Sequence, residues 1–154
     1  MTDTSGLRFA ADGTFEVARS KLNSCFGCGQ DNPSGLRLRF RLLEGGAVGT
    51  VVEVPAAFCG VDGVVHGGIQ ATILDEVSGV AAQLALPAGA DRLPCVTADL
   101  ALRFRLPVTQ QGPVRAEATV ERVEGRNIFV AAKIVDPDGS ALTTATSRWV
   151  QLQA

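Results

Sequence analysis

A single stretch, Gly67 to Leu86, carries the signature of a long helix: it lacks proline, and Ile69, Ile73, Val77, Val80 and Leu84 recur every three or four residues. The segments on either side have the two-residue period of strands. Before it, Leu36, Leu38, Phe40 and Leu42 alternate with Arg37, Arg39 and Arg41, a half-buried strand with a cationic outer face, and Val48 to Val54 forms a second strand. Past Pro87-Ala88-Gly89, alternation returns in Ala98, Leu100, Leu102, Phe104 and Leu106 against Asp99, Ala101, Arg103 and Arg105, until Pro107 ends it. Three further runs follow, Val114 to Glu124, Ile128 to Asp136 and Ala141 to Leu152, divided by the turns Gly125-Arg126-Asn127 and Pro137-Asp138-Gly139. Strands, one helix, then more strands is not the alternation of a parallel α/β protein. It predicts an α+β fold in which one antiparallel sheet of five to six strands wraps a single helix.

At 154 residues the chain is the size of one domain. Residues 1–22 are weakly patterned and read as an N-terminal extension, and 23–154 as the domain proper. The net charge of −2 supplies no overall basic excess to draw the protein to nucleic acid or an anionic membrane. The helix is interrupted by Gln70, Asp75, Glu76 and Gln83, so no run approaches a membrane span. Met1 to Phe9 lacks the basic and apolar regions of a secretory signal, and a cytoplasmic protein with reduced thiols is expected.

Four cysteines, Cys25, Cys28, Cys59 and Cys95, include one C-x-x-C pair within Asn23 to Gly35, a stretch dense in turn formers that reads as an ordered loop. A zinc site would need further ligands from Cys59, Cys95 or His66, none spaced as a second pair. The expectation is therefore no metal, with small buried thiols shaping a turn.

The chemistry concentrates at the helix. His66, the one histidine, precedes Gly67 and Gly68 at its start, and Asp75 follows nine residues on. At about 100° per residue, the apolar stripe lies opposite Asp75, whose own side carries Ala71, Thr72, Ser78, Gly79 and Ala82. Small residues around one carboxylate leave room for a ligand, and an acid with few partners in such a place is costly unless it works. The unsatisfied amides of the helix start can hold a carbonyl oxygen that gains negative charge. A rise of about 1.5 Å per residue puts His66 and Asp75 about 13 Å apart along the axis, too far to act on one carbon from one chain. If both act on one substrate, the second comes from another subunit, and at least a symmetric dimer is required. Glu76, turned about 100° from Asp75, reads as a solvent-facing or paired acid.

Three segments together resemble the hotdog-fold acyl-CoA thioesterases of the PaaI type. They are Cys25-Phe26-Gly27-Cys28-Gly29 with Asn32-Pro33-Ser34-Gly35-Leu36, then His66-Gly67-Gly68 with Asp75, and Thr97-Ala98-Asp99-Leu100 running to Leu106-Pro107-Val108. The resemblance implies a helix wrapped by an antiparallel sheet, paired into a homodimer or a homotetramer (a dimer of dimers) with active sites at the interface. It implies acyl-CoA as substrate, with CoA part of the substrate and no separate cofactor. Asp75 would be general base or nucleophile, Gly67 and Gly68 would present amides to the carbonyl, His66 would orient or polarise it, and Thr97 would hold the lytic water. Relatives that carry an amide side chain six or seven residues before the histidine differ from this chain, where Cys59 and Gly60 stand. Arg103, Arg105 and Arg126 are candidates to grip the CoA phosphates. The main alternative is a non-catalytic acyl-CoA binding or sensing protein on the same fold; a hydratase would want an Asp and a His together on one acyl chain.

Overall fold

The computed structural model describes residues 6–18, 22–87 and 94–153; Met1 to Ser5, and Ala88 and Gly89 of the expected turn, lie outside them. The elements in chain order are β1 (Leu7–Phe9), β2 (Phe15–Val17), β3 (Phe40–Leu42), β4 (Val48–Val52), α1 (Gly67–Leu84), β5 (Cys95–Phe104), β6 (Val114–Glu124), β7 (Asn127–Val135) and β8 (Ala141–Gln151). The eight strands among the described residues join one antiparallel sheet in the order β1-β2-β3-β4-β6-β7-β8-β5. The helix packs on one face, chiefly against β6 and β7, as the hotdog arrangement requires. No helix among the described residues is long and apolar enough to cross a membrane.

The count of eight corrects the expected five to six. The surplus comes from the first 22 residues, where β1 and β2 form a hairpin that continues the sheet beyond β3. Its attachment is aromatic: Phe15 is fully buried, with ring centroids 5.3 Å from Phe9 and 6.0 Å from Phe40. Buried Glu16 adds ion pairs to Arg8 at 2.7 Å and Arg39 at 3.0 Å. The strand expected from Leu36 begins only at Phe40, because Arg37 adopts φ +49, which breaks the extended backbone. Leu36 and Leu38 instead bond their amides to Phe26 O and Gly27 O of the preceding loop.

The helix buries more than its predicted stripe. Ile73, Leu74 and Val77 are fully enclosed, each worth about 1.5–3 kcal/mol of apolar burial. Gln70, also buried, ties the helix to both neighbours: its amide donates to Val65 O at 2.9 Å and its oxygen accepts from Thr143 at 2.6 Å. The small residues beside Asp75 are largely filled from within. A Cβ on Gly79 would stand 2.6 Å from the Trp149 ring, and Ala82 is fully buried, so this part of the small-residue face receives Trp149 and not a ligand.

Strand β5 closes one end of the sheet. It is ten residues long, pairs only with β8 among the described residues, and exposes Val96 and Phe104, with Leu106 exposed just beyond.

Candidate active site

The helix start is shaped by the loop before it. Val65 N donates to Val108 O at 2.8 Å and His66 N to Phe58 O at 3.0 Å, and Gly60 lies against the imidazole, where a Cβ would stand 3.4 Å from Cδ2. His66 is the N-cap: its carbonyl accepts from Ile69 and Gln70, and its Nδ1 accepts from Gly68 N at 2.9 Å. Accepting at Nδ1 puts the proton of a neutral ring on Nε2. It also uses up the Gly68 amide, so Gly68 does not present a donor to a ligand as expected. Its neighbour does. The Gly67 amide has no acceptor among the described residues and stands at the positive end of the helix. Phe104 packs beside it, 3.5 Å from where a Gly67 Cβ would sit.

Farther along the same helix, Asp75 Oδ1 accepts from Thr97 Oγ1 at 2.9 Å. The strand period alone would turn Thr97 away from the helix, onto the outer face with Asp99 and Ala101. A bulge reverses this: Thr97 lies opposite Trp149 while Asp99 lies opposite Arg148, leaving Ala98 as the extra residue. The hydroxyl is thereby brought onto the helix side, and Asp99 is left outside with Arg148, bonded at 2.6 Å. Burial raises the Asp75 carboxyl above the usual aspartate range, and the Thr97 hydrogen bond pulls it partly back. No ion pair joins Asp75 to Arg103 or Arg105 among the described residues.

The three arginines are not brought together. Arg103 is exposed on the outer face of β5 opposite Thr144, and Arg105 lies just past the strand's end, its amide on Leu142 O at 2.9 Å. Arg126 donates to Gln151 O at 3.1 Å, seven residues farther along β8, or about 23 Å at the rise of a strand. One phosphate group cannot span them within a chain. Glu76, expected to be solvent-facing or paired, is the latter, and its partner is the C-x-x-C loop: Cys25 Sγ donates to its Oε1 at 3.3 Å.

The arrangement therefore holds a half-buried carboxylate with a hydroxyl on one oxygen, and a free amide at a helix start on the same element. Known proteins resemble the chain in sequence and in fold. The thioesterase superfamily profile matches residues 62–143, more than half of the chain and the span that holds the helix, β5, β6 and β7. The acyl-coenzyme A thioesterase THEM4 of Mus musculus is 33% identical over 94 residues, 60% of this chain and 38% of that protein, and its Xenopus laevis counterpart is 33% identical over 94 residues, 60% and 40%. The chain thus spans well under half the length of these relatives. A crystallised thioesterase superfamily protein superposes with a TM-score of 0.73 at 28% identity, covering 84% of this chain and 61% of that one. A phenylacetic acid degradation-related protein from Ralstonia eutropha gives 0.65 at 28% identity over 75% and 85%. A Bacillus halodurans protein solved with CoA shares the fold, with a TM-score of 0.70 at 23% identity over 82% of this chain and 81% of that one. With the fold and the matched residues in agreement, the chain belongs to the thioesterase superfamily.

Proposed function

We propose that the protein hydrolyses an acyl-CoA thioester to the free acid and CoA, with Asp75 as general base and a second copy of the chain completing each site. The observation that carries this reading is the Asp75–Thr97 pair: a half-buried carboxylate held by a single hydroxyl at the edge strand of the sheet. Thr97 occupies Oδ1, which leaves Oδ2 and the hydroxyl lone pairs for one water. That water donates one proton to Asp75 and the other to Thr97, and its own lone pair attacks the thioester carbon. The proton passes to Asp75, the carbonyl oxygen becomes an oxyanion, and collapse of the tetrahedral intermediate breaks the C–S bond. CoA leaves as a thiolate and is protonated by Asp75 or water.

The oxyanion needs donors, and the Gly67 amide is one, with His66 Nε2–H beside it. Gly67 lies about 12 Å from Asp75 along its own helix, so the partner's helix start supplies them. The long apolar edge of β5 supports pairing of two copies, as a homodimer or a dimer of dimers. Acyl-CoA as substrate follows the names of the curated relatives, and Arg103, on this strand, and Arg105, just past its end, are candidate cations for its phosphates. Four cysteines outside any disulfide fit a reducing, cytoplasmic setting.

A panel of acyl-CoA esters assayed by thiol release tests the reading. Turnover of at least one ester is expected. Tight binding of esters with no thiol released from any would make the protein a binding module.

A further inference from the structure

The C-x-x-C loop and the helix converge on Glu76. The sulfurs of Cys25 and Cys28 and a carboxylate oxygen of Glu76 all lie within 4.8 Å of one another, with Cys25 Sγ 3.3 Å from Glu76 Oε1. Two glycines make the meeting possible. A Cβ on Gly27 would stand 2.3 Å from Glu76 Cγ, and one on Gly29 2.4 Å from Cys25 N, both closer than side chains come. The loop is locked in that shape by Gly29 N on Cys25 O at 3.0 Å, Asp31 N on Asn23 O at 3.1 Å and Gln30 Nε2 on Cys28 O at 3.2 Å. Leu38 N on Gly27 O, at 2.9 Å, anchors its far side.

Two thiols and a carboxylate enclosed together are poorly served by hydrogen bonds alone, since a thiol is a weak donor. A divalent cation resolves the conflict. Both sulfurs bind as thiolates, two protons leave to solvent, and most of the ligands' negative charge is cancelled. Sulfur ligands exclude Mg2+ and Ca2+, which demand oxygen, and favour Zn2+. Zn–S bonds of about 2.3 Å and Zn–O bonds of about 2.1 Å set tetrahedral ligand atoms roughly 3.6–3.8 Å apart. The observed spacing therefore needs shifts of about an ångström or less, within reach of side-chain rotation.

We propose that Cys25, Cys28 and Glu76 form a zinc site, with water as fourth ligand, that fastens the N-terminal loop to the helix one residue from Asp75. The expectation of no metal rested on Cys59, Cys95 and His66 as the remaining ligand candidates; the third ligand comes from the helix instead. The site stands on its own cluster and does not depend on the thioesterase reading.

The test uses the full chain, reduced, stripped with chelator and titrated with Zn2+ alone against a chromophoric competitor, then with Co2+ as a spectroscopic probe. One equivalent per chain is expected, with a thiolate-to-cobalt charge-transfer band in the near ultraviolet. Cys28→Ser and Glu76→Gln each weaken binding at least about tenfold, whereas Cys59→Ser leaves it unchanged. Alkylation of the wild-type protein, read by mass spectrometry, needs no variant: Zn2+ protects Cys25 and leaves Cys59 labelled as before. Absence of stoichiometric uptake, a cobalt band that survives both ligand substitutions, or equal labelling of Cys25 with and without zinc would overturn the site.

Discussion

Asp75 and Glu76 are consecutive residues in opposite surroundings. Asp75 is turned toward β5, the strand at the edge of the sheet, and holds one hydroxyl; Glu76, about 100° round the helix, is wrapped by the loop of residues 25–29 and meets thiols and glycine backbone. The first is fixed by one bond and left able to take a proton. The second is committed to holding two parts of the chain together. What separates the acid proposed to react from the one proposed to hold the loop is which neighbour the helix turns it toward, and a single bulge at Ala98 decides that Asp75 meets a hydroxyl at all.

The comparison breaks most visibly if the two acids are exchanged for amides. Asp75→Asn is expected to fold and to lose about 10²–10⁴ in kcat, the usual contribution of a general base. It should also be more stable than wild type at neutral pH. Because the folded carboxyl titrates above the unfolded one, the folded chain binds more protons in the window between them; stability is full below the unfolded value and is lost as pH rises through the folded one. Asparagine removes that loss, which thermal unfolding at neutral pH will show. Turnover close to wild type would move the chemistry away from Asp75.

The helix start sharpens the same contrast with a substitution that removes one hydrogen. Gly67 is the first helical residue, where proline is tolerated, and His66 before it has φ −56 and ψ 138, which proline accepts. Gly67→Pro should keep the fold and cost about 10²–10³ in kcat by deleting the amide donor. Gly67→Ala keeps that donor and meets Phe104 at an ordinary 3.5 Å, so its kcat should stay within a few-fold of wild type. Equal kinetics for the two variants would remove the amide from the account.

Smaller effects follow in pH. With chelator present, the acid limb of kcat/KM should lie above the ordinary aspartate range, since the base is lost as pH falls through a raised value. Thr97→Val removes the one bond that lowers it, so the limb should move further up, with kcat reduced several-fold. An unmoved limb would mean that Thr97 does not touch the working carboxylate. The other acid comes last, in Glu76→Gln. In metal-free protein it should cost about 1–2 kcal/mol of stability in denaturant unfolding while lowering kcat less than tenfold, the reverse of Asp75→Asn.

Much of this was legible in the sequence. Helix α1 and strands β6, β7 and β8 fall within a residue or two of where periodicity and turn chemistry put them, because each buries one clear face. The carboxylate at Asp75 stood out for the same reason, whereas the capping of the helix by the His66 side chain did not. Three other things were not legible. The β1–β2 hairpin has strands of three residues, too short for a period to show. The inward turn of Thr97 depends on a bulge that no alternation rule anticipates. The union of Cys25 and Cys28 with Glu76 joins positions some fifty residues apart, and the one local hint, glycine at 27 and 29, gains its meaning only once a Cβ there is seen to collide. The small residues near Asp75 misled in the other direction, since Gly79 is small to admit Trp149.

The central claim is that each site takes its base from one chain and its oxyanion donors from another. Mixed dimers test it most directly: Asp75→Asn and Gly67→Pro chains carrying different tags are co-expressed and the two-tag species isolated. Each parent alone has every site broken, whereas a mixed dimer has one site doubly broken and one intact. About half of wild-type activity per dimer is the predicted result. Activity no greater than that of the parents, in a mixed dimer shown to be folded and intact, would contradict a site shared between chains.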